Sequence, residues 1–80
     1  MLNVKILGSG CANCKRLEAV AREAAQSLNI QAEFEKVTDM SKIMAYDILA
    51  TPALVIDEKV VSSGRIPTVA DIQAWLSAAQ

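Results

Sequence analysis

Hydrophobic and polar positions follow two different periods along the first third of the chain. In residues 2–7 apolar side chains recur at every second position, which predicts a strand. The cluster Gly8-Ser9-Gly10 breaks this pattern and predicts a loop. A helix is predicted from about residue 12 to residue 28, and Asn29 is a suitable residue to end it. Its apolar residues form one stripe at the helical spacing: Cys14, Leu17, Val20, Ala21, Ala24 and Leu28.

The middle of the chain predicts a strand followed by a short helix. Residues 30–37 alternate between apolar and charged or amide side chains, as in a strand with one solvated face at the edge of a sheet. Thr38 or Asp39 can cap a short helix over residues 40–46. We expect three apolar residues to form the buried face of that helix: Met40, Ile43 and Met44.

The last third of the chain predicts a hairpin and a final helix. Residues 53–56 are a continuous apolar run, which is typical of a central strand. Residues 57–58 are a candidate two-residue turn without the usual glycine, and residues 59–62 are the predicted return strand. Thr68 is predicted to begin the last helix, where Asp71 completes a weaker version of a capping box.

Together these elements predict an α/β protein with the order β-α-β-α-β-β-α. The first strand–helix–strand unit is expected to be a parallel crossover, and the hairpin is expected to join the same sheet in the antiparallel direction. The result is a four-stranded mixed sheet with helices on both faces. Residues 1–80 are too few for a second core and are expected to form a single domain.

Charge and hydropathy exclude several classes of partner. Eight basic residues against nine acidic ones leave no basic excess to neutralise phosphates, so nucleic-acid binding is not expected. No apolar run reaches the roughly 18 residues of a membrane span, and no membrane partner is expected. The first residues lack the basic start and long apolar stretch of a signal peptide, so a cytoplasmic location is expected.

Two cysteines three positions apart are the strongest chemical signal: Cys11-Ala12-Asn13-Cys14. The chain has no histidine, which excludes histidine-based triads and histidine metal ligands. Structural zinc usually takes four ligands, and two thiolates do not supply them. A Cys-x-x-Cys pair between a strand and a helix is instead typical of thiol–disulfide chemistry. The sequence therefore predicts neither a metal nor a cofactor.

The two cysteines are expected to have different roles. The unpaired N–H groups at a helix start stabilise a thiolate, and Lys15 adds positive charge that lowers a thiol pKa. Cys11 lies at the mouth of the helix, is expected to be accessible, and would attack the disulfide of a partner. Cys14 continues the apolar stripe, faces inward, and would resolve the mixed disulfide by attacking Cys11.

A proline before the central strand is the second signal. By itself, Thr51-Pro52 is an ordinary start of a strand. Together with the cysteine pair, Pro52 becomes a candidate cis-proline. A cis bond there would turn the backbone of Ala50 and Thr51 outward beside Cys11, where it could pair with an extended segment of a substrate.

Two segments carry a family resemblance: residues 8–15, Gly-Ser-Gly-Cys-Ala-Asn-Cys-Lys, and residues 51–57, Thr-Pro-Ala-Leu-Val-Ile-Asp. They resemble the short, glutaredoxin-sized thioredoxin-like proteins of bacteria and archaea. The resemblance implies a three-layer thioredoxin-like fold with the sheet order 2-1-3-4. It also implies that Cys11 is the nucleophile, Cys14 the resolving cysteine and Pro52 the cis-proline.

The same resemblance implies partners. A thioredoxin-reductase-type flavoenzyme is the electron donor that it implies. From the chemistry of the cysteine pair, disulfide-containing proteins are the expected substrates, and the chain is expected to act as a monomer. Larger thioredoxins keep a buried aspartate in a strand near the disulfide, whereas the comparable strand here carries Lys5. Residues 62–65 match the glutathione-binding segment of glutaredoxins poorly.

Two other uses of the same thiols are alternatives to thiol–disulfide exchange. A metallochaperone of the heavy-metal-associated type carries a methionine where this chain has Ser9, and it assigns no role to Thr51-Pro52. The other alternative is a protein of the same fold that binds copper or arsenic, or senses oxidation. The sequence separates that alternative from catalysis poorly, and the oxidoreductase is the preferred hypothesis.

Overall fold

In the part of the chain that the structure describes, four strands and three helices follow one another in the predicted order. The computed structural model describes residues 2–8, 12–48 and 50–79. Its elements are β1 Leu2–Leu7, α1 Ala12–Ser27, β2 Ala32–Val37, α2 Met40–Met44, β3 Ala53–Ile56, β4 Lys59–Ser63 and α3 Val69–Ala79. The predicted α/β class with a four-stranded mixed sheet is confirmed. No helix among the described residues is long and apolar enough to cross a membrane.

The sheet has the order β2-β1-β3-β4. Strand β1 pairs with β2 in parallel and with β3 in the antiparallel direction, and β3 pairs antiparallel with β4. The carboxyl ends of β1 and β2 therefore meet the amino end of β3 at one edge of the sheet. All four residues of the central strand β3 are buried, whereas the edge strand β2 alternates between half-buried and exposed positions over residues 32–35.

The two faces of the sheet are covered unequally. On one face, which we call the two-helix face, α1 and α3 close a continuous core over alternate residues of β1 and β3. That core is aliphatic: Leu2, Val4, Ile6, Cys14, Leu17, Ala21, Ala24, Ala25, Leu54, Ile56, Ile72 and Leu76. On the other face, which we call the α2 face, a smaller cluster lies under the short helix: Leu7, Val37, Ile43, Ile48, Ala53 and Val55.

Helix α2 corrects the expectation for its buried face. Ile43 is buried, but Met40 and Met44 are 59% and 61% exposed. The helix ends at Met44 rather than at residue 46, so only one of its side chains is fully covered. Ile48 and the half-buried ring of Tyr46, which follow the helix, complete the apolar cluster of Ile43 without the two methionines.

Helix ends follow the local signals in the sequence. Thr68 and Asp71 make the reciprocal bonds of a capping box, because each side chain accepts a hydrogen bond from the other's main-chain N–H. Asp39 accepts a hydrogen bond from the N–H of Ser41 and caps α2. Asn29 adopts a φ of 55° just after α1, the left-handed conformation that ends a helix.

The turn between β3 and β4 places two non-glycine residues at positive φ, Asp57 at 49° and Glu58 at 69°. Such a turn normally favours glycine. Here both residues are tied to β1. The main-chain N–H of Asp57 donates to the carbonyl of Asn3, while the Asp57 carboxylate accepts from the N–H of Asn3. Glu58 forms an ion pair with Lys5. These tertiary contacts stabilise a turn that its own sequence disfavours.

Candidate active site

Cys14 lies in the first turn of α1, close to the edge where β1 ends. Its side chain is 6% exposed and packs in the core of the two-helix face. Cys14 is present in its disulfide-bonded form. Cys11, the predicted nucleophile, lies outside the described residues. The helix therefore begins with a buried sulfur at the point where its main-chain N–H groups have no partners within the helix.

Gly8 is a part of the site that sequence reasoning treated only as a loop signal. A Cβ atom at Gly8 would overlap with the Sγ atom of Cys14. The main-chain N–H of Gly8 donates a 3.0 Å hydrogen bond to the carbonyl of Val37, which holds it against β2. Only a residue without a side chain fits between the end of β1 and the sulfur. The glycine as it stands in the sequence does not distinguish this close approach from an ordinary loop.

The segment before β3 lies against the same point. The Thr51–Pro52 peptide bond is cis. The Cβ atom of Thr51 is 3.9 Å from the place that a Cβ of Gly8 would occupy, so the threonine borders the glycine and the cysteine. Ala50 and Thr51 are exposed, whereas Pro52 is buried. Among the described residues, no hydrogen bond engages the main chain of Ala50 or Thr51.

A second glycine supports this segment. The main-chain N–H of Gly64 donates a 2.9 Å hydrogen bond to the carbonyl of Pro52. Gly64 has a φ of 74°, and a Cβ there would come within 3.0 Å of the Cβ of Ala50. The end of β4 thereby holds residues 50–52 in place from behind. In the sequence, a glycine at this position indicates only that a strand ends nearby.

A cavity of about 40 Å³ adjoins Cys14 and is lined by Ile6, Gly8, Cys14, Lys15, Lys36 and Thr38. Lys15, the predicted source of positive charge, is exposed and belongs to this lining. Within the described part of the chain Lys15 forms no ion pair. A second ammonium group, that of Lys36, was not anticipated by the sequence analysis because it comes from β2.

Lys36 on β2 belongs to a charge network with Glu18 and Arg22 on α1. Its Nζ atom lies 3.1 Å from the Oε1 atom of Glu18, and the Oε2 atom of Glu18 lies 2.9 Å from an Arg22 guanidinium nitrogen. The hydrogen bond from Lys36, together with that from Arg22, holds the pKa of Glu18 below its usual range. The spacing of four residues between Glu18 and Arg22 on α1 by itself favours their pairing. The pair with Lys36 depends on how α1 packs on β2.

Lys5 lies on the α2 face, away from Cys14. Its Nζ atom donates to the Tyr46 hydroxyl at 3.0 Å and to the Glu58 carboxylate at 2.6 Å. These hydrogen bonds, that to Glu58 above all, raise the pKa of Lys5, and the same bond lowers the pKa of Glu58. Strand β1 thus carries a tethered ammonium where larger thioredoxins carry a buried carboxyl group. Its nearest neighbours are on the opposite face from the sulfur.

Comparison with known proteins agrees with this arrangement. The thioredoxin domain family matches residues 2–77. The chain belongs to the thioredoxin family. It is 42% identical over 77 residues to a thioredoxin of Methanothermobacter thermautotrophicus, covering 96% of this chain and all of that protein. It is 34% identical over 76 residues to a thioredoxin of Methanocaldococcus jannaschii, covering 95% of this chain and 87% of that protein.

Solved structures show the same fold at lower sequence identity. The oxidised thioredoxin of Plasmodium falciparum superposes with a TM-score of 0.61 at 16% identity, over 96% of this chain and 79% of that one. The resemblance drawn from the sequence and the predicted fold are confirmed.

The protein is a thioredoxin-type redox protein, a disulfide oxidoreductase in general terms. Thioredoxins generally act on disulfide substrates and are reduced by thioredoxin reductase. Among the described residues, no group of three or more metal-ligating side chains is found.

Proposed function

We propose that this thioredoxin-family protein reduces protein disulfides with Cys11 as the nucleophile and Cys14 as the resolving cysteine. The observation that carries the proposal is the position of Cys14 in the first turn of α1. Its sulfur is buried, lies against Gly8 and is close to Thr51. Cys11 is three residues earlier in the sequence, immediately before the first residue of α1. A buried sulfur suits an intramolecular step better than an attack on a large substrate.

The reaction proceeds in two exchanges. The Cys11 thiolate attacks one sulfur of the substrate disulfide, that disulfide breaks, and the leaving sulfur takes up a proton. The Cys14 thiolate then attacks the Cys11 sulfur, and the mixed disulfide breaks. The second substrate sulfur leaves and also takes up a proton. Two electrons pass from the two thiols of the protein to the substrate, which gains two thiols.

Residues 50–52 are the proposed substrate-binding segment. Ala50 and Thr51 are exposed and leave their main-chain groups unengaged among the described residues. An extended segment of the substrate can pair with these groups as an added strand. The buried Pro52, whose carbonyl accepts from Gly64, fixes their direction. Lys15 is proposed to favour the thiolate form at the start of α1.

The oxidised protein would be reduced by a thioredoxin-reductase-type flavoenzyme in the cytoplasm. That enzyme supplies the two electrons that each turnover consumes. The chain is proposed to act as one domain and as a monomer. These proposals are supported by the similarity of this chain to proteins named thioredoxin over nearly their whole length.

A trapping experiment tests the two roles. With a protein disulfide substrate, Cys14→Ser is expected to accumulate a mixed disulfide on Cys11, because the resolving thiol is missing. Cys11→Ser is expected to form no adduct and to show no turnover. Mass spectrometry of the intact protein identifies the modified cysteine. An adduct on Cys14 in the Cys11→Ser variant would reverse the assignment.

The equilibrium potential of the cysteine pair tests the direction of the reaction. It is measured by titration against dithiothreitol redox buffers, with the thiols counted by alkylation and mass. A two-electron transition near or below about −250 mV supports a reductant of protein disulfides. A value between about −180 and −120 mV indicates an oxidant or isomerase instead. The absence of any disulfide at every ratio of the buffer would overturn the oxidoreductase.

A further inference from the structure

Among the described residues, a carboxylate positioned to take the proton of Cys14 is missing from β1. The strand carries Lys5 on the α2 face, where it is bound to Tyr46 and Glu58. Cys14 packs on the two-helix face. In the proposed reaction, however, Cys14 must lose its proton before it can attack Cys11. The group that favours this step has to come from another element.

The charged side chains around Cys14 come from two elements. Lys15 and Lys36 line the cavity beside the sulfur, one from α1 and one from β2. Glu18 follows Cys14 by one helical turn on α1 and binds Lys36. Around them, the described neighbours of Cys14 on β1 and in the segment before β3 are uncharged: Ile6, Gly8 and Thr51.

Two carboxylates at this end of the molecule are occupied by partners of their own, while Arg16, two residues after Cys14 on α1, is exposed and does not line the cavity. Asp39 is bound to Ser41 at the start of α2, and Asp71 at the start of α3 lies 3.9 Å from Arg65. The thiol of Cys11 is the remaining titratable group expected near Cys14, and it lies outside the described residues. Among the described residues, Lys15 and Lys36 are therefore the charged side chains that line the cavity beside Cys14.

The Lys36 network carries one net positive charge. Glu18 is 17% exposed and binds two cations, Lys36 and Arg22. Lys36 projects from β2 on the same side as its register partner Ile6, which packs with Cys14 in one core. Although 57% of its side chain is exposed, the bond to Glu18 directs the ammonium toward α1 at the level of the turn after Cys14. Without Lys36, Glu18 and Arg22 would neutralise each other.

We propose that Lys36 is a positioning residue for the resolving step, where its ammonium, held by Glu18, stabilises the thiolate of Cys14. This inference rests on the proposed function. In that step a bond forms between the sulfurs of Cys14 and Cys11, and the bond between Cys11 and the substrate sulfur breaks. The substrate sulfur leaves as a thiolate and takes up a proton. An electrostatic contribution from β2 replaces the carboxyl group that β1 lacks.

Titration of Cys14 in charge variants tests this role. The protein is labelled with ¹³C at the cysteine Cβ atoms, fully reduced, and followed by NMR as the pH is raised; Cys11→Ala assigns the two signals. Lys36→Met takes the network from one positive charge to none, so the pKa of Cys14 is expected to rise. Glu18→Gln removes the negative charge but keeps an oxygen for Lys36, so the pKa of Cys14 is expected to fall.

Two further variants separate charge from structure. Lys36→Arg keeps the positive charge and is expected to titrate like the unchanged protein. Lys42→Met removes an equal charge from α2, which lies on the other face, and is expected to leave the titration of Cys14 unchanged. Lys36→Met is also expected to slow release of substrate from the mixed disulfide several-fold at neutral pH, and less at high pH where the thiolate forms unaided.

The outcomes distinguish this inference from the proposed function. Shifts of the same sign in Lys36→Met and Glu18→Gln, or no shift in either, would overturn the role of Lys36. The titration reads the state of Cys14 whether or not the protein turns over a substrate. Loss of turnover in the unchanged protein would overturn the proposed function, while opposite shifts of Cys14 would still show the electrostatic coupling.

Discussion

The two faces of the sheet differ in how they are held. The two-helix face is covered by helices of 16 and 11 residues over an aliphatic core that includes Cys14. The α2 face is covered by a helix of five residues, and next to its small apolar cluster it carries the polar group of Lys5, Tyr46 and Glu58. The sulfur is thus packed in the better-covered layer, while ion pairing and hydrogen bonding support the thinner one.

This difference follows from the amount of apolar surface that each helix offers. A helix of three or more turns presents several side chains to the sheet, whereas α2 buries Ile43 alone. Because hydrophobic stabilisation scales with buried apolar area, the α2 face needs other contacts. The ion pair of Lys5 with Glu58 joins β1 to the turn between β3 and β4, and Tyr46 joins both to the end of α2.

The largest expected effect on stability comes from truncating one buried aliphatic side chain in each face of the sheet. Leu17 and Ile43 are both almost fully buried. We expect Leu17→Ala to lower the free energy of unfolding by about 4 kcal/mol and Ile43→Ala by about 2 kcal/mol, because the short helix can settle into the space that is left. Urea unfolding of both variants in one reducing buffer measures the two costs. An equal or larger cost for Ile43→Ala would show that the α2 face is packed as rigidly as the other.

A smaller effect is expected where the sheet meets the sulfur. Gly8→Ala places a methyl group against the Sγ atom of Cys14 and should lower the free energy of unfolding by about 1–3 kcal/mol. In a Cys14→Ala background the obstruction is gone, so the same substitution should cost much less. Urea unfolding of the four proteins in reducing buffer forms a double-mutant cycle. Equal costs in both backgrounds would contradict a clash with the sulfur.

Acid should weaken the α2 face through the ion pair. Lys5 lowers the pKa of Glu58. The contribution of the ionised Glu58 to the free energy of unfolding is therefore complete above the ordinary pKa of a glutamate and is lost as the pH falls through the lowered value. The raised pKa of Lys5 keeps that partner charged throughout this range. The stability advantage of the unchanged protein over Glu58→Gln should therefore disappear in acid.

Urea unfolding midpoints between neutral pH and pH values below the glutamate range measure that advantage. Glu33→Gln removes the same charge from an exposed position of β2 and serves as the matched control. Its difference from the unchanged protein should vary with pH less than that of Glu58→Gln. Parallel pH profiles for the two variants would show that the ion pair contributes no more than an isolated surface charge.

The smallest effect is expected on the outside of α2. Met44 is more than half exposed, so Met44→Gln should change the free energy of unfolding by no more than about 0.5 kcal/mol. Replacement of the buried Leu17 by glutamine would be severely destabilising. Urea unfolding again gives the value. A loss above about 1 kcal/mol would mean that the methionine is packed, as its spacing in the sequence predicts.

Local signals in the sequence were sufficient for the order and ends of most elements. The alternation in residues 2–7, the apolar run of residues 53–56 and the capping pair of Thr68 and Asp71 each predicted the element that is observed. These patterns are reliable because period and capping depend on neighbours within a few positions. The burial of Cys14 could be anticipated for the same reason, since it continues the stripe of α1.

Only the tertiary structure decided the contacts that cross between elements. Met40 is exposed although its spacing predicts burial, because residues after the helix complete the cluster of Ile43 without it. The closeness of Gly8 to Cys14 depends on how β1 enters α1, and the bond of Lys36 to Glu18 depends on how α1 lies across β2. Periodicity states which side of an element is apolar. It does not state which residue from a distant part of the chain meets that side, because that is set by the packing of the whole molecule.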